Sequence, residues 1–181
     1  SFAASAYEAC RTGVWTQTAT YDGLTDEEVV TVEPGAPARI ELTPEDATVT
    51  AGEQVTYTVT AYDAQDNVIG DVTAATSLTT TDPCGSFTDG VYGACRVGVW
   101  TQTAAYAGLT ADADVTVEAG PLSEIAVMPE TTTLLPGETE HFTATGYDAS
   151  GNVVEITPTW SVEESAAGEI DVTGLFTAGV T

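Results

Sequence analysis

The chain has almost no positive charge. Its 181 residues include 28 Asp and Glu residues but no lysine and only three arginines, Arg11, Arg39 and Arg96, so the formal net charge at pH 7 is −25. Binding to a phosphate backbone needs cations that displace counterions, and binding to anionic lipid needs clusters of basic residues. We therefore expect neither nucleic acid nor an anionic membrane surface as a partner. An acidic surface instead favours solubility and repulsion between neighbouring chains.

Histidine is almost absent as well. The single one, His141, lies at an alternating strand position beside Phe142, without the nucleophile and acid that a catalytic triad requires. The sequence has no Gly-rich phosphate loop and no H-E-x-x-H motif. No serine has an evident base to activate it. We therefore expect a protein that is not an enzyme.

Long hydrophobic runs are missing too. The hydrophobic content of 43% is ordinary for a globular protein, but the apolar residues are spread over short segments. No run approaches the ~18 residues that a membrane span requires. The sequence therefore predicts no membrane insertion.

What the sequence does contain is a tandem repeat. Residues 9–33 return at 94–118, and residues 53–69 return at 138–154, both with a shift of 85 residues. A fixed period of this size indicates one small domain copied in series. We expect residues 1–34 to be the C-terminal strands of a first, partial repeat. Residues 35–119 form a complete second repeat, and residues 120–181 are the N-terminal strands of a third, partial repeat.

Cysteine is scarce, and its three positions are informative. Cys84 and Cys95 enclose the segment CGSFTDGVYGAC. The simplest account is a local disulfide, which would contribute roughly 2–3 kcal/mol and indicates an oxidising, extracellular setting. Buried free thiols are the alternative, and metal binding is disfavoured because no second Cys or His pair is nearby. Cys10 corresponds to Cys95 one repeat earlier, and its expected partner would fall just before Ser1.

The complete second repeat predicts β-structure throughout. Residues 38–44 and 54–62 alternate apolar and polar side chains, which is typical of half-buried strands, and Tyr57 and Val59 fall on the apolar side. Further strands are expected at 97–106 and 113–118. Roughly seven short strands separated by turns predict an all-β fold of tandem immunoglobulin-like Greek-key sandwiches. The only helical signal is a single turn at 163–169.

The three tryptophans are expected in the cores. Trp160 falls on the third main strand of the third repeat, where the second repeat has Ala75. We expect Trp100 to fill the space that a tryptophan at position 75 would occupy, because interiors are closely packed, and Trp15 to do the same in the first repeat. An inward Trp100 brings Gln102 inward, where a buried amide must form hydrogen bonds. The opposite face of that strand is the alternative.

Taken in order, these elements resemble the bacterial immunoglobulin-like (Big-like) domains of intimin/invasin-type surface proteins. The resemblance is carried by residues 40–69, 98–118, 125–163 and 173–179, with a first strand ending in Pro, a YDxxxN hairpin, a G-x-(F/Y)-x-A element and a Gly-led penultimate strand. The missing tryptophan at Ala75 and the added cysteine pair depart from the pattern. The resemblance implies secreted or surface-anchored proteins whose domains act as stalks, spacers or adhesive tips, with no shared catalytic residues.

One turn offers candidate metal ligands. Asp63, Asp66 and Asn67 crowd the turn at 63–67, and carboxylate and amide oxygens at short spacing are ligands for calcium. The alternative is a hairpin turn whose side chains cap their own backbone. The copy of this turn counts against calcium, because Gly151 stands in place of Asp66. No other cofactor is expected.

These observations predict an extracellular structural protein on the surface of a prokaryote, a fibre, filament or stalk of tandem domains. Its expected partners are copies of itself or adjacent repeats in a head-to-tail assembly. The partial repeats fit either a window on a longer array or strand exchange between molecules. The alternative function is an adhesin or a glycan- or receptor-binding segment, with candidate sugar contacts at Tyr7, Tyr21 and Tyr106.

Overall fold

Strands make up nearly all the regular structure in this computed structural model, which describes residues 10–164 and 167–180. Tyr7 and residues 165–166 of the segment 163–169 lie outside the described part. The first repeat contributes one hairpin of β1 (Gly13–Tyr21) and β2 (Leu24–Val32). No helix in the described part of the chain is long and apolar enough to cross a membrane.

The second repeat contains ten strands and one 3-10 turn at Thr73–Ala75. The strands are β3 (Arg39–Thr43), β4 (Asp46–Thr50), β5 (Gln54–Thr56), β6 (Thr58–Tyr62), β7 (Val68–Asp71), β8 (Ser77–Thr80), β9 (Ser86–Thr88), β10 (Val91–Gly93), β11 (Gly98–Tyr106) and β12 (Leu109–Glu118). The third repeat contributes β13 (Leu122–Met128), β14 (Thr139–His141), β15 (Thr143–Asp148), β16 (Val153–Val154), β17 (Gly168–Ile170) and β18 (Leu175–Ala178).

The second repeat is a two-layer sandwich. One layer is the sheet β4-β12-β11-β8, in which β4 runs parallel to β12 and the other neighbours are antiparallel. The other layer consists of β3-β6-β7 and β5-β10-β9. These two groups are continuous along the chain, because only Tyr57 separates β5 from β6. The predicted immunoglobulin-like β-sandwich is confirmed.

The core lies between the two layers. It arises from the alternation along the strands, since every second side chain points inward. Tyr57 and Val59, which the sequence pattern placed on the apolar side, are 1% and 0% exposed. The other buried apolar residues are Ile40, Leu42, Val55, Ala61, Tyr92, Ala94, Ala104, Ala113, Val115 and Val117.

Trp100 packs at the edge of this core and is half-buried. Its indole N–H donates a hydrogen bond to the carbonyl oxygen of Arg96 at 2.6 Å. Trp15 repeats the arrangement in the first repeat, where its indole donates to Arg11 at 3.2 Å, and it is 37% exposed. Both indoles therefore fold back over the segment that leads into their own strand.

Trp160 is half-buried but lies outside regular strand structure, so its expected place on a main strand is wrong. Its ring lies beside Gly174, where an added Cβ would come within 3.1 Å of it. In the second repeat the matching position, Ala75, is exposed at the end of the 3-10 turn. A groove of about 770 Å³ opens there. Neither Ala75 nor Trp100 is among the residues that line it, so the expectation that Trp100 fills the space of a tryptophan at position 75 stays a prediction.

The side chain of Gln102 faces inward on β11. Of the two orientations expected for this strand, this is the one that also turns Trp100 inward. Gln102 is 0% exposed, and its Nε2 donates to the carbonyl oxygen of Trp100 at 3.3 Å. Its Oε1 and the Tyr57 hydroxyl have no hydrogen-bond partner among the described residues. These two atoms lower the stability of the core, since a buried polar atom without a partner loses its hydration.

The third repeat shows one layer only in the described chain. Its sheets β13-β15-β16 and β14-β18-β17 match β3-β6-β7 and β5-β10-β9 of the second repeat. Among the described residues of the third repeat, the sheet β4-β12-β11-β8 has no counterpart. Ile125 and Val127, the counterparts of the buried Ile40 and Leu42 of the second repeat, are exposed as a result.

Candidate functional site at the joints between repeats

The turn that carries the candidate calcium ligands lies where one repeat meets the next. It connects β6 to β7 in the second repeat and β15 to β16 in the third. We call the two contacts joint 1 and joint 2. Joint 1 consists of Asp63 and Asn67 with Cys10, Thr12 and Gly35. Joint 2 consists of the residues 85 positions later, Asp148 and Asn152 with Cys95, Val97 and Gly120.

The aspartate of each joint holds the linker and its own turn together. The Asp63 carboxylate accepts a hydrogen bond from the linker N–H of Gly35 at 2.9 Å. It also accepts from the backbone N–H groups of Gln65 and Asn67, both at 2.9 Å, and from the Asn67 side-chain amide at 2.9 Å. Asp63 is only 4% exposed. Its oxygens are therefore engaged by N–H donors, which a cation would have to displace.

Asp148 repeats the same set in joint 2. It accepts from the N–H groups of Gly120 at 2.9 Å, Ser150 at 2.9 Å and Asn152 at 2.8 Å, and from the Asn152 side-chain amide at 2.9 Å. The linker glycine approaches closely, because a Cβ at Gly120 would lie 3.0 Å from the carbonyl oxygen of Ala51. A side chain at position 120 would therefore require this neighbour to shift by a few tenths of an ångström.

The asparagine of each joint reaches back to the preceding repeat. In joint 2, Asn152 Nδ2 donates to the carbonyl oxygen of Cys95 at 2.8 Å, and Asn152 Oδ1 accepts from the N–H of Val97 at 3.0 Å. An amide side chain is suited to this task, since it offers one donor and one acceptor to two backbone groups at once.

Joint 1 has the same pair of contacts. Asn67 Nδ2 donates to the carbonyl oxygen of Cys10 at 3.2 Å, and Asn67 Oδ1 accepts from the N–H of Thr12 at 3.1 Å. Thr12 and Val97 are different residue types, but they are recognised through the main chain. The joint can therefore recur along an array whose side chains vary.

Asp66, the third candidate calcium ligand, lies in the same turn but outside the joint. It takes the left-handed conformation at φ 60°, and Gly151 takes it at φ 77° in the copy. Glycine adopts this conformation freely and aspartate tolerates it, which explains the replacement without a metal. The Asp66 carboxylate forms an ion pair with Arg39 at 3.0 Å. The structure thus brings Asp63 and Asn67 together and pairs Asp66 elsewhere.

Hydrogen bonding shifts the ionisation of both joint aspartates. The N–H of Gly35 and then the amide of Asn67 lower the pKa of Asp63 to about 2. At Asp148 burial alone raises the pKa, but the hydrogen bonds from Asn152 and Gly120 outweigh it, so the pKa is lowered. Both carboxylates are therefore ionised at neutral pH, as acceptors of several N–H groups should be.

The predicted disulfide is confirmed, and it adjoins joint 2. Cys84 and Cys95 are bonded. The buried carboxylate of Asp82 lies beside them and accepts from the Tyr92 hydroxyl at 2.7 Å and from the N–H groups of Cys95 and Arg96 at 3.1 and 3.3 Å. Sequence reasoning missed Asp82, because it precedes a proline and a cysteine in what reads as an exposed turn. Its burial follows from contacts that no local pattern encodes.

The remaining candidates lie apart from the joints. Cys10 is exposed and has no disulfide partner among the described residues. His141 is exposed on β14, Tyr21 is 85% exposed at the tip of the first hairpin, and Tyr106 is half-buried. Within residues 10–164 and 167–180, no group of three or more His, Cys, Asp or Glu side chains is arranged to hold a metal ion. The calcium and sugar interpretations stay predictions.

No family model matches the chain, and no curated protein matches it. Solved structures similar to it include that of FdeC, an adhesin of Escherichia coli, with 20% identity over 92% of this chain and 65% of that chain and a TM-score of 0.48. Domains 4–9 of the surface-layer protein SbsC match with 17% identity over 93% of this chain and 31% of that chain, at a TM-score of 0.33. Domains 5–6 match with 17% identity over 80% and 85%, also at 0.33.

This chain therefore spans about two thirds of the adhesin structure and about a third of the longer surface-layer fragment. The resemblance to intimin/invasin-type domains stays a prediction, since no family model matches. The immunoglobulin-like fold is established by the strand order and the core of the second repeat itself.

Proposed function

We propose that this chain is part of an extracellular structural protein whose immunoglobulin-like repeats are joined into a stiff rod, as a fibre or stalk on a prokaryotic cell surface. The observation that carries the proposal is the recurrence of one hydrogen-bonded joint at two places 85 residues apart. When each repeat meets the next through the same contacts, the same relative orientation of neighbouring repeats recurs along the chain. Such repetition generates a regular, elongated array.

The joints supply stiffness that a bare linker lacks. Domains in one chain move relative to each other by default unless their interface is extensive. Here each asparagine forms two hydrogen bonds across the boundary, each contributing about 0.5–1.5 kcal/mol, and an aspartate fixes the linker N–H. Both linkers also contain proline, at Pro34 and Pro121, which restricts φ. Bending at the joint therefore requires breaking several contacts together.

The partner proposed for the third repeat is a hairpin equivalent to β1–β2. That hairpin pairs Gly13 with Val32, and β11–β12 pairs Gly98 with Val117 in the same register. In the second repeat the β11–β12 hairpin lies between β4 and β8 and closes the sandwich. The third repeat is proposed to receive the same element from an adjacent repeat or a second copy. Either source extends the assembly head to tail.

Electron microscopy with two-dimensional averaging tests the rod. Continuous fibres with a beaded repeat about one small domain long are expected, whereas discrete short particles would contradict the proposed filament.

A variant carrying a copy of residues 10–33 after Thr181 tests separately whether such a hairpin completes the third repeat. We expect it to remain monomeric while its joints stay intact. Unchanged association of this variant would exclude strand exchange but leave the rod standing.

A second candidate function, binding of a glycan, is favoured by the groove beside the 3-10 turn. Its lining includes the hydroxyl-bearing residues Thr73 and Thr76, the acidic residues Asp71 and Asp89, and Phe87. Hydroxyl and carboxylate groups around an aromatic ring suit a sugar. A glycan array probed with the labelled chain tests it. Binding that Phe87→Ala leaves unchanged would exclude the groove as the site.

A further inference from the structure

The disulfide loop of the second repeat and joint 2 share one short piece of backbone. The bond between Cys84 and Cys95 closes the loop. Residues 95–97 leave the loop and lead directly into β11. This segment is held from two sides by groups of two different repeats, Asp82 from the second and Asn152 from the third.

The first side is the interior of the second repeat. The carboxylate of Asp82, which is 4% exposed, accepts from the N–H groups of Cys95 and Arg96. The fit around it is tight, since a Cβ at Gly85 would lie 2.7 Å from an Asp82 carboxylate oxygen and 2.8 Å from the Tyr92 ring. The position of Cys95 is therefore fixed both by its covalent bond and by Asp82.

The second side is the third repeat. Asn152 donates a hydrogen bond to the carbonyl oxygen of Cys95 and accepts one from the N–H of Val97. These are the two hydrogen bonds that Asn152 makes across the boundary within the described residues. If the segment 95–97 moves, both are lost together, because one rigid amide group serves both.

We propose that the Cys84–Cys95 disulfide is a latch for joint 2, so that its reduction loosens the joint without unfolding the sandwich. The biological meaning of this latch, control of stiffness, rests on the proposed rod. Its test does not, because it measures individual amide groups in the chain. The core of the sandwich includes neither cysteine, so opening the bond removes no core side chain.

Reduction requires a thiol reagent, and Cys84 is exposed to one. A dithiol attacks the disulfide by thiol–disulfide exchange. The S–S bond breaks, both cysteines become thiols by taking up two electrons and two protons, and the dithiol is oxidised to a cyclic disulfide. The segment 95–97 then loses its covalent tie to residue 84.

Joint 1 serves as an internal control. It has the same contacts, but Cys10 has no disulfide partner among the described residues. Its hydrogen bond from Asn67 Nδ2 to the Cys10 carbonyl oxygen is 3.2 Å long, against 2.8 Å for the counterpart in joint 2. The reporters are the N–H groups that the asparagines accept from, Thr12 in joint 1 and Val97 in joint 2.

The experiment is amide hydrogen exchange by NMR on the full chain with and without a dithiol. The chain carries Cys10→Ser, which preserves the carbonyl group of joint 1 and prevents disulfides between molecules. We expect exchange at Val97 to accelerate by about tenfold or more on reduction. Thr12 is expected to stay unchanged, and the core amides of Val59 and Val115 to stay protected.

Two outcomes would contradict the proposal that reduction of the disulfide loosens joint 2 alone. One is unchanged exchange at Val97 after mass spectrometry shows complete reduction. The other is faster exchange at the amides of Val59 and Val115 as well as Val97, which would mean that the disulfide stabilises the whole sandwich and not the joint alone. Asn152→Ala with the disulfide intact calibrates the readout and should accelerate Val97 at least as much as reduction does. If it does not, Val97 is protected by something other than the joint, and the proposal fails.

Discussion

Asn152 donates a hydrogen bond at 2.8 Å to the carbonyl oxygen of Cys95, which lies 57 residues earlier in the preceding repeat. Asn67 does the same to Cys10, also 57 residues earlier. A single side chain in a hairpin turn thus fixes two backbone groups of a neighbouring domain. The turn therefore connects two strands of its own repeat and also contacts the previous repeat.

Replacing both joint asparagines should let neighbouring repeats move more freely relative to one another. The double variant Asn67→Ala and Asn152→Ala removes four hydrogen bonds across the boundaries, at about 0.5–1.5 kcal/mol each. We expect small-angle X-ray scattering to show a wider distribution of end-to-end distances. Gln65→Ala is the matched control, because its side chain is exposed on the same turn. An equal change in the control would contradict the role of the asparagines.

Acid should loosen joint 1 over a defined range of pH. The pKa of Asp63 is about 2 in the folded chain against an ordinary value of 3.8. A group with a lowered folded pKa contributes stability that is fully present above the unfolded pKa and is lost as pH falls through the folded one. The contribution of Asp63 should therefore decline between about pH 4 and pH 2.

Protection of the Gly35 N–H against exchange measures this decline, after correction for the intrinsic pH dependence of exchange. Asp63→Asn provides the control, since its side chain does not titrate in this range. If both proteins show the same pH dependence, the loss of protection does not come from Asp63.

Tyr57→Phe should leave the second repeat equally stable or more stable. The Tyr57 hydroxyl is buried without a hydrogen-bond partner among the described residues, so removing it relieves a desolvation cost. The third repeat has Phe142 at the equivalent position. Urea unfolding checks the change in free energy. A loss of more than about 1 kcal/mol would show that the hydroxyl has a partner.

Glu28→Ala should strengthen head-to-tail association if the β1–β2 hairpin completes a third repeat. Glu28 pairs with Gln17 as Ala113 pairs with Gln102, and Ala113 is only 4% exposed. Insertion in that register brings a carboxylate to a buried position, which is costly. Sedimentation should show association at a concentration lower by about fivefold or more. Glu27→Ala is the control, since its counterpart Asp112 is exposed. Equal effects would contradict this register.

Calcium should leave the thermal stability of the chain unchanged. The Asp63 oxygens accept hydrogen bonds from N–H groups, and Asp66 pairs with Arg39. A cation would have to break these contacts to be bound. Differential scanning calorimetry with millimolar calcium, against magnesium as the control, measures this. A rise in Tm with calcium but not with magnesium would support a calcium site.

The local features of this protein could be predicted from its sequence. The alternation along β3, β6 and β12 determined which side chains face inward, because successive residues of a strand point to opposite faces. The spacing of Cys84 and Cys95 within one loop indicated their disulfide. The 85-residue period indicated copies of one module. Each of these signals lies in residues close together in the chain or in its direct repetition.

The task of the D-x-x-x-N turn was decided by the tertiary structure. Asp63 and Asn67 looked like calcium ligands or caps of their own turn, and within the turn Asp63 does cap it. The partners of Asn67 outside its own turn lie 55 and 57 residues earlier. They are backbone groups, which carry no signature in the sequence. Asp82 is similar, since its burial depends on Tyr92 and on the loop that closes over it.

The sequence by itself therefore determined the module, its strands and its repetition, because hydrophobic alternation and period are local properties. Only the tertiary structure decided how one module meets the next. That contact depends on where the main chain of a preceding repeat brings a carbonyl and an N–H, and every residue type except proline can supply both groups.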